Sequence, residues 1–102
     1  MRRLDEFIDA GIDGPLGVHA MADMLGLSEG YFIRAFKNTT GKSPHSYLID
    51  RRLAKARTLM RDSNARLAEI APACGFSSQA HMATAFRLRL GTSPAKLRSQ
   101  WG

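Results

Sequence analysis

Ala35-Phe36-Lys37-Asn38-Thr39-Thr40-Gly41-Lys42-Ser43-Pro44 returns fifty residues later as Ala85-Phe86-Arg87-Leu88-Arg89-Leu90-Gly91-Thr92-Ser93-Pro94, without a gap. Five of the ten positions are identical, and Lys37 is exchanged for Arg87. Such self-similarity means that one supersecondary unit is used twice. Each copy carries the same punctuation. An Ala-Phe pair marks the inner face of a helix, a glycine ends that helix, and Ser-Pro restarts the chain with an N-cap and a proline at the first helical position. Further upstream, Ala22, Gly26 and Ser28 correspond to Ala71, Gly75 and Ser77, provided the second copy holds one extra residue between its turn and its longer helix.

Outward from the repeat, apolar residues recur at three- and four-residue steps, and no stretch alternates like a half-buried strand. Leu4, Phe7 and Ile8 predict a first short helix, ended by Gly11, Gly14 and Pro15. Val18, Met21, Ala22 and Leu25 predict a second, stopped by Gly26, and Ser28 supplies the N-cap of a third bearing Phe32, Ala35 and Phe36 inward. A longer helix is expected from Pro44 to about Arg61, with Ile49, Leu53, Ala56 and Met60 as its apolar stripe. On its remaining surface lie Arg51, Arg52, Lys55 and Arg57, and Asp62-Ser63-Asn64 then signals a turn. The expected class is all-α, with about seven helices arranged as two helix-turn-helix subdomains joined by a long central helix. The boundaries are 1–43 for the first subdomain, 44–62 for the linker helix and 63–102 for the second, all within one domain.

Composition narrows the functions. A chain of 102 residues, 44% of them hydrophobic, suits one small domain or two very small subdomains sharing a helix, and not a multi-domain enzyme. No apolar run reaches the ~20 residues of a membrane span, and the N-terminus has no signal-peptide pattern, so a cytoplasmic location is expected. Cys74 is the lone cysteine, and His19, His45 and His81 are widely spaced, so neither a disulfide nor a zinc cluster is expected, nor any cofactor. The net charge of +6 is unevenly placed. Residues 1–30 carry six acids and two bases, a balance of −4, whereas residues 31–102 carry thirteen bases and three acids, a balance of +10. A polyanion is the natural partner of the second segment, because each neutralised phosphate releases condensed counterions.

In a helix-turn-helix, one helix braces a second, whose outer face enters the major groove of double-stranded DNA. With Phe32, Ala35 and Phe36 inward, helical periodicity turns Gly30, Ile33, Arg34 and Lys37 outward. Arg34 is the expected base reader, because its fork matches guanine O6 and N7; Ile33 offers apolar contact, for example to a thymine methyl. Lys37 and Lys42 are expected on phosphates. In the second copy Met82, Ala85 and Phe86 face inward, leaving Gln79, Ala80, Ala83, Thr84 and Arg87 toward the groove with His81 at the flank. Gln79 is the candidate adenine reader, and Arg87 a phosphate contact. The first unit is therefore expected to supply sequence information, and the second positioning and shape recognition. A linker of about 18 residues rising ~1.5 Å each spans about 27 Å, enough to set two recognition helices roughly one DNA turn apart, with some bending of the duplex.

These residues resemble the AraC/XylS family of bacterial transcription regulators, over essentially the whole chain. The most specific piece is Cys74-Gly75-Phe76-Ser77-Ser78-Gln79-Ala80-His81-Met82-Ala83-Thr84-Ala85-Phe86-Arg87 followed by Gly91-Thr92-Ser93-Pro94. Ala22 to Ser28, Tyr31 to Lys37 and Ser43 to Leu48 support it. The resemblance implies two helix-turn-helix units joined by a long helix, with the outward residues named above facing DNA. It also implies an N-terminal ligand-sensing or dimerisation domain in the full-length protein, absent from these residues. The gapless repeat joined to a basic face points to promoter recognition, with an activator that also contacts RNA polymerase as the leading expectation and a repressor as the alternative. Four positions depart from the family pattern. Thr84 stands where arginine is common, Pro72 lies inside a bracing helix, and Gly30 and Ile33 replace more polar residues. A nonspecific helical module for protein or RNA is the competing reading. An enzyme is not expected, since no nucleophile-base pair, metal-ligand cluster or phosphate-cradling loop is apparent.

Overall fold

The structure is a computed structural model that describes residues 2–101. Seven α-helices follow one another: α1 Arg2–Ala10, α2 Val18–Met24, α3 Glu29–Thr40, α4 Pro44–Asp62, α5 Leu67–Ala73, α6 Gln79–Leu90 and α7 Pro94–Trp101. No strand occurs among the described residues, and none of their helices is long and apolar enough to cross a membrane. The chain divides into two compact units, Met1–Ile49 and Asp50–Gly102, and the division falls inside the continuous helix α4.

Unit 1 is built on a single apolar cluster. Leu4 and Ile8 of α1, Met21 and Ala22 of α2, Phe32 and Phe36 of α3, and Leu48 of α4 are all buried together with Ile12. The aromatic contacts are directional: Phe36 meets Phe32 at 5.6 Å between ring centroids and meets Tyr47 edge-on at 5.2 Å. The Tyr47 hydroxyl also donates to an Asp5 carboxylate oxygen, tying the start of α4 to α1.

Unit 2 buries Leu53, Ala56 and Met60 of α4 with Ile70, Ala71, Cys74 and Phe76 of the bracing helix and its turn. Met82, Ala85 and Phe86 of α6 complete this interior. Arg52 departs from the sequence reading. It is only 9% exposed, and burial lowers its pKa, so it does not belong to the outer basic surface of α4. Ile49 is half-buried, and Leu48 takes the deeper position in the stripe. Pro72 sits in the last turn of α5, and the helix runs through it to Ala73.

The two turns close in the same way. Gly26 (φ 69°) and Gly75 (φ 85°) take the left-handed conformation that spares glycine a Cβ clash, and Leu27 N–H and Phe76 N–H each reach back 3.0 Å to the carbonyls of Ala22 and Ala71. The longer helices that follow the turns, α3 and α6, also match. Ser28 Oγ accepts from Tyr31 N–H at 3.3 Å, and Ser78 Oγ accepts from His81 N–H at 3.0 Å. Both helices have 12 residues and end on left-handed Gly41 and Gly91. Ser78, not Ser77, is therefore the partner of Ser28. Ser77 is the extra residue of the second turn, and the fifty-residue register extends upstream to the caps.

Two arginines fasten unit 2. The Arg98 guanidinium, from α7, donates to the carbonyls of Met60 (3.2 Å), Ser63 (2.8 Å) and Ala65 (2.6 Å), at and beyond the end of α4. A helix C-terminus leaves carbonyls without intrahelical donors, and this fork answers one of them and two in the following turn. Arg89 of α6 pairs with Asp50 of α4 at 3.0 Å, with both side chains about one-third exposed.

Candidate nucleic-acid interface

In unit 1, α3 is amphipathic in the way a reading helix requires. Phe32 and Phe36 are buried and Ala35 is half-buried, while Gly30, Arg34 and Lys37 are exposed and Ile33 is 36% exposed. These four thus emerge on the side away from the core, and Lys42 is exposed just beyond the helix end. A Cβ at Gly30 would lie 3.4 Å from an Arg34 Nη, so the bare backbone one turn earlier is what the guanidinium leans over. His19 stands between Asp23 Oδ2 (3.2 Å) and Glu29 Oε2 (3.4 Å), linking the bracing helix to the first residue of α3.

In unit 2, Met82, Ala85 and Phe86 are buried, and Ala80, Thr84 and Arg87 are exposed on the other side of α6, with Ala83 half-buried. The Thr84 hydroxyl is turned onto its own helix, donating to the Ala80 carbonyl at 3.1 Å, and Arg87 Nη2 approaches it at 3.5 Å. His81 is exposed but oriented. Its Nδ1 accepts from Ser77 N–H at 3.3 Å, and its ring meets Phe76 edge-on at 5.4 Å. With Nδ1 accepting, Nε2 is the ring atom left to carry a proton outward. Gln79 is exposed at the edge of this face, lining a cleft with Arg66, Leu67 and Ala68 of the α5 start and Ala95, Arg98 and Ser99 of α7. Cys74 is buried, and desolvation pushes its thiol pKa up, the opposite of what an activated cysteine needs.

Three exposed residues escaped the sequence reading: Asn38, Leu88 and Arg66. The first two were accessible from spacing, since Asn38 follows Arg34 and Leu88 follows Thr84 by four residues, one helical turn on the same side. Arg66 gave no such signal, because its relation to Gln79 depends on how α5 and α6 pack. Among the described residues, no group of three His, Cys, Asp or Glu is placed to hold a metal ion.

A family profile described as a helix-turn-helix domain matches residues 21–100. Over 79 residues the chain is 43% identical to the HTH-type transcriptional activator RhaS of Escherichia coli, an alignment covering 78% of this chain and 28% of that protein. The chain belongs to the AraC/XylS family. Solved AraC-type structures agree. A transcriptional regulator with an AraC-type DNA-binding domain from Chromobacterium violaceum superposes with TM-score 0.88 at 30% identity, covering 97% of this chain and 88% of that one. The DNA-binding domain of the global transcriptional factor AdpA, crystallised with a target DNA, gives TM-score 0.91 at 29% identity over 98% of this chain and 90% of its own. As an AraC/XylS domain, the chain is related to DNA-binding transcription regulators, and it spans under a third of the length of RhaS.

Proposed function

We propose that this AraC/XylS chain binds double-stranded DNA sequence-specifically in transcription regulation, placing α3 and α6 in successive major grooves. The observation that carries the reading is the duplicated reading helix. Each unit holds a capped 12-residue helix whose inner side is buried and whose outer side exposes a basic residue, Lys37 or Arg87, at the same register. The balance of +10 over residues 31–102 fits a phosphate backbone. AdpA, of the same fold, was crystallised with a target DNA.

In this reading Arg34 is the principal base reader, Ile33 and Gly30 sit at the groove floor, and Lys37, Lys42 and Arg87 hold phosphates. Ala80, Ala83 and Thr84 meet the second groove, flanked by Gln79 and His81. The domain runs over 1–102, with subdomains at 1–43 and 63–102 around the linker helix 44–62. RhaS is described as an activator, which favours activation here, with an RNA polymerase contact and a sensing or dimerisation domain elsewhere in a longer cytoplasmic protein.

A titration of labelled duplex at rising salt tests the electrostatic part. With about six phosphates engaged, the log–log slope of affinity against salt is near −5. A flat response contradicts the reading.

A further inference from the structure

The two reading helices stand in one register but offer different chemistry. Counting fifty residues on, Gly30 becomes Ala80, Arg34 becomes Thr84 and Asn38 becomes Leu88, and each set is spaced by four along one side of its helix. The α3 set ends in a guanidinium and an amide. The α6 set is apolar in presentation. Leu88 is 80% exposed, the most exposed of the large hydrophobic side chains in the described chain. Thr84 gives its one hydroxyl proton to the Ala80 carbonyl at 3.1 Å, and Arg87 Nη2 approaches the same oxygen at 3.5 Å, so its methyl is the part of the side chain left unengaged. Arg87 and Arg89 flank Leu88 in sequence, and Arg89 is drawn away to Asp50.

A single exposed leucine usually means nothing. Here, however, the leucine continues the face that the DNA-binding reading already places in a groove, and a hydrophobic group cannot be satisfied by base-edge donors and acceptors. The one apolar feature that a major groove presents is the 5-methyl of thymine. Resting on that reading, we propose that Leu88, with the Thr84 methyl, is a specificity-determining residue through which α6 selects pyrimidine 5-methyl groups. The second half-site is then chosen by methyl contact, while the first is chosen by hydrogen bonding through Arg34. The proposed substrate is a duplex with thymine at one or two positions facing α6, where 5-methylcytosine satisfies the same contact.

The test uses the full chain and a preferred site selected from random duplexes. Each thymine in the half facing α6 is replaced singly by deoxyuridine, which removes only the methyl. Burial of one methyl-sized group is worth about a three- to fourfold change in affinity, and a loss of that size is expected at one or two positions. Leu88→Asn, which installs the residue found at the matching place in α3, abolishes the thymine-over-uracil preference at its position. Thr84→Val, which keeps the methyl, preserves the preference at the Thr84 contact, whereas Thr84→Ser, which keeps the hydroxyl, loses it. Equal binding of thymine and uracil duplexes at every position overturns the inference and leaves the DNA reading intact, as does a preference that survives Leu88→Asn and Thr84→Ser. Failure to recover any preferred site overturns both.

Discussion

Arg34 and Thr84 occupy equivalent places in the two helices, and the difference between them is what a single side chain can say to a base pair. A guanidinium over the bare Gly30 backbone has room to present two donors, whereas a threonine whose hydroxyl already bonds Ala80 has none to spare. Arg34→Ala is therefore expected to cost about 1–3 kcal/mol on the preferred duplex and to relax selection at one base pair, read by competition with single-base variants. Uniform weakening across all sequences would instead assign Arg34 to the phosphates. Glu69 makes a prediction of a different kind. Its carboxylate accepts from Arg66 N–H at 3.1 Å and from Arg66 Nε at 3.0 Å, and these bonds, the backbone one first, hold its pKa below the usual carboxylate value. A lowered folded-state pKa means that the stabilisation is complete above the unfolded value of ~4.3 and is lost as pH falls through the folded one. Glu69→Gln should flatten that acid limb in thermal melts followed from neutral pH downward. An unchanged acid limb would remove Glu69 from the account.

At the level of helices, the sequence was most informative where structure is local. Caps, glycine stops and the Ser-Pro restarts are decided by residues within one turn of each other, so α3 and α4 begin and end where their residues indicate and α6 stops at Gly91, although its cap is Ser78 and not the Ser77 first paired with Ser28. The inner faces were equally legible, because Phe32, Phe36, Met82 and Phe86 follow helical periodicity. What stayed hidden depends on distant partners. Arg98 reaches carbonyls 33 to 38 residues away, and no spacing rule links α7 to the end of α4. Arg52 looked like one more surface base, yet it is buried by its neighbours. Gln79 faced outward by periodicity, while the structure sets it at the rim of a cleft shared with α5 and α7. Arg98→Met keeps an unbranched but shorter side chain and deletes its donors, leaving three carbonyls to find other partners. The expected loss is about 1–3 kcal/mol by chemical denaturation, with partial recovery in Arg98→Lys. Equal stability of Arg98→Met and the parent would mean that water serves those carbonyls as well.

For the molecule as a whole, duplication is the organising fact. One supersecondary unit appears twice, and the copies differ at outward residues such as Arg34 and Thr84 while keeping their cap serines, their terminal glycines and the inward Ala-Phe pair; inside, Phe32 is exchanged for Met82. That pattern is expected if the interior must fold the same way each time and the exteriors address different base pairs. A single continuous helix, α4, enters both units. Joint engagement of one duplex by both copies can be read by hydroxyl-radical footprinting on the selected site, where two protected patches on one face of the DNA, about 10 base pairs apart, are expected. A single patch, or even protection along the whole duplex, would contradict it.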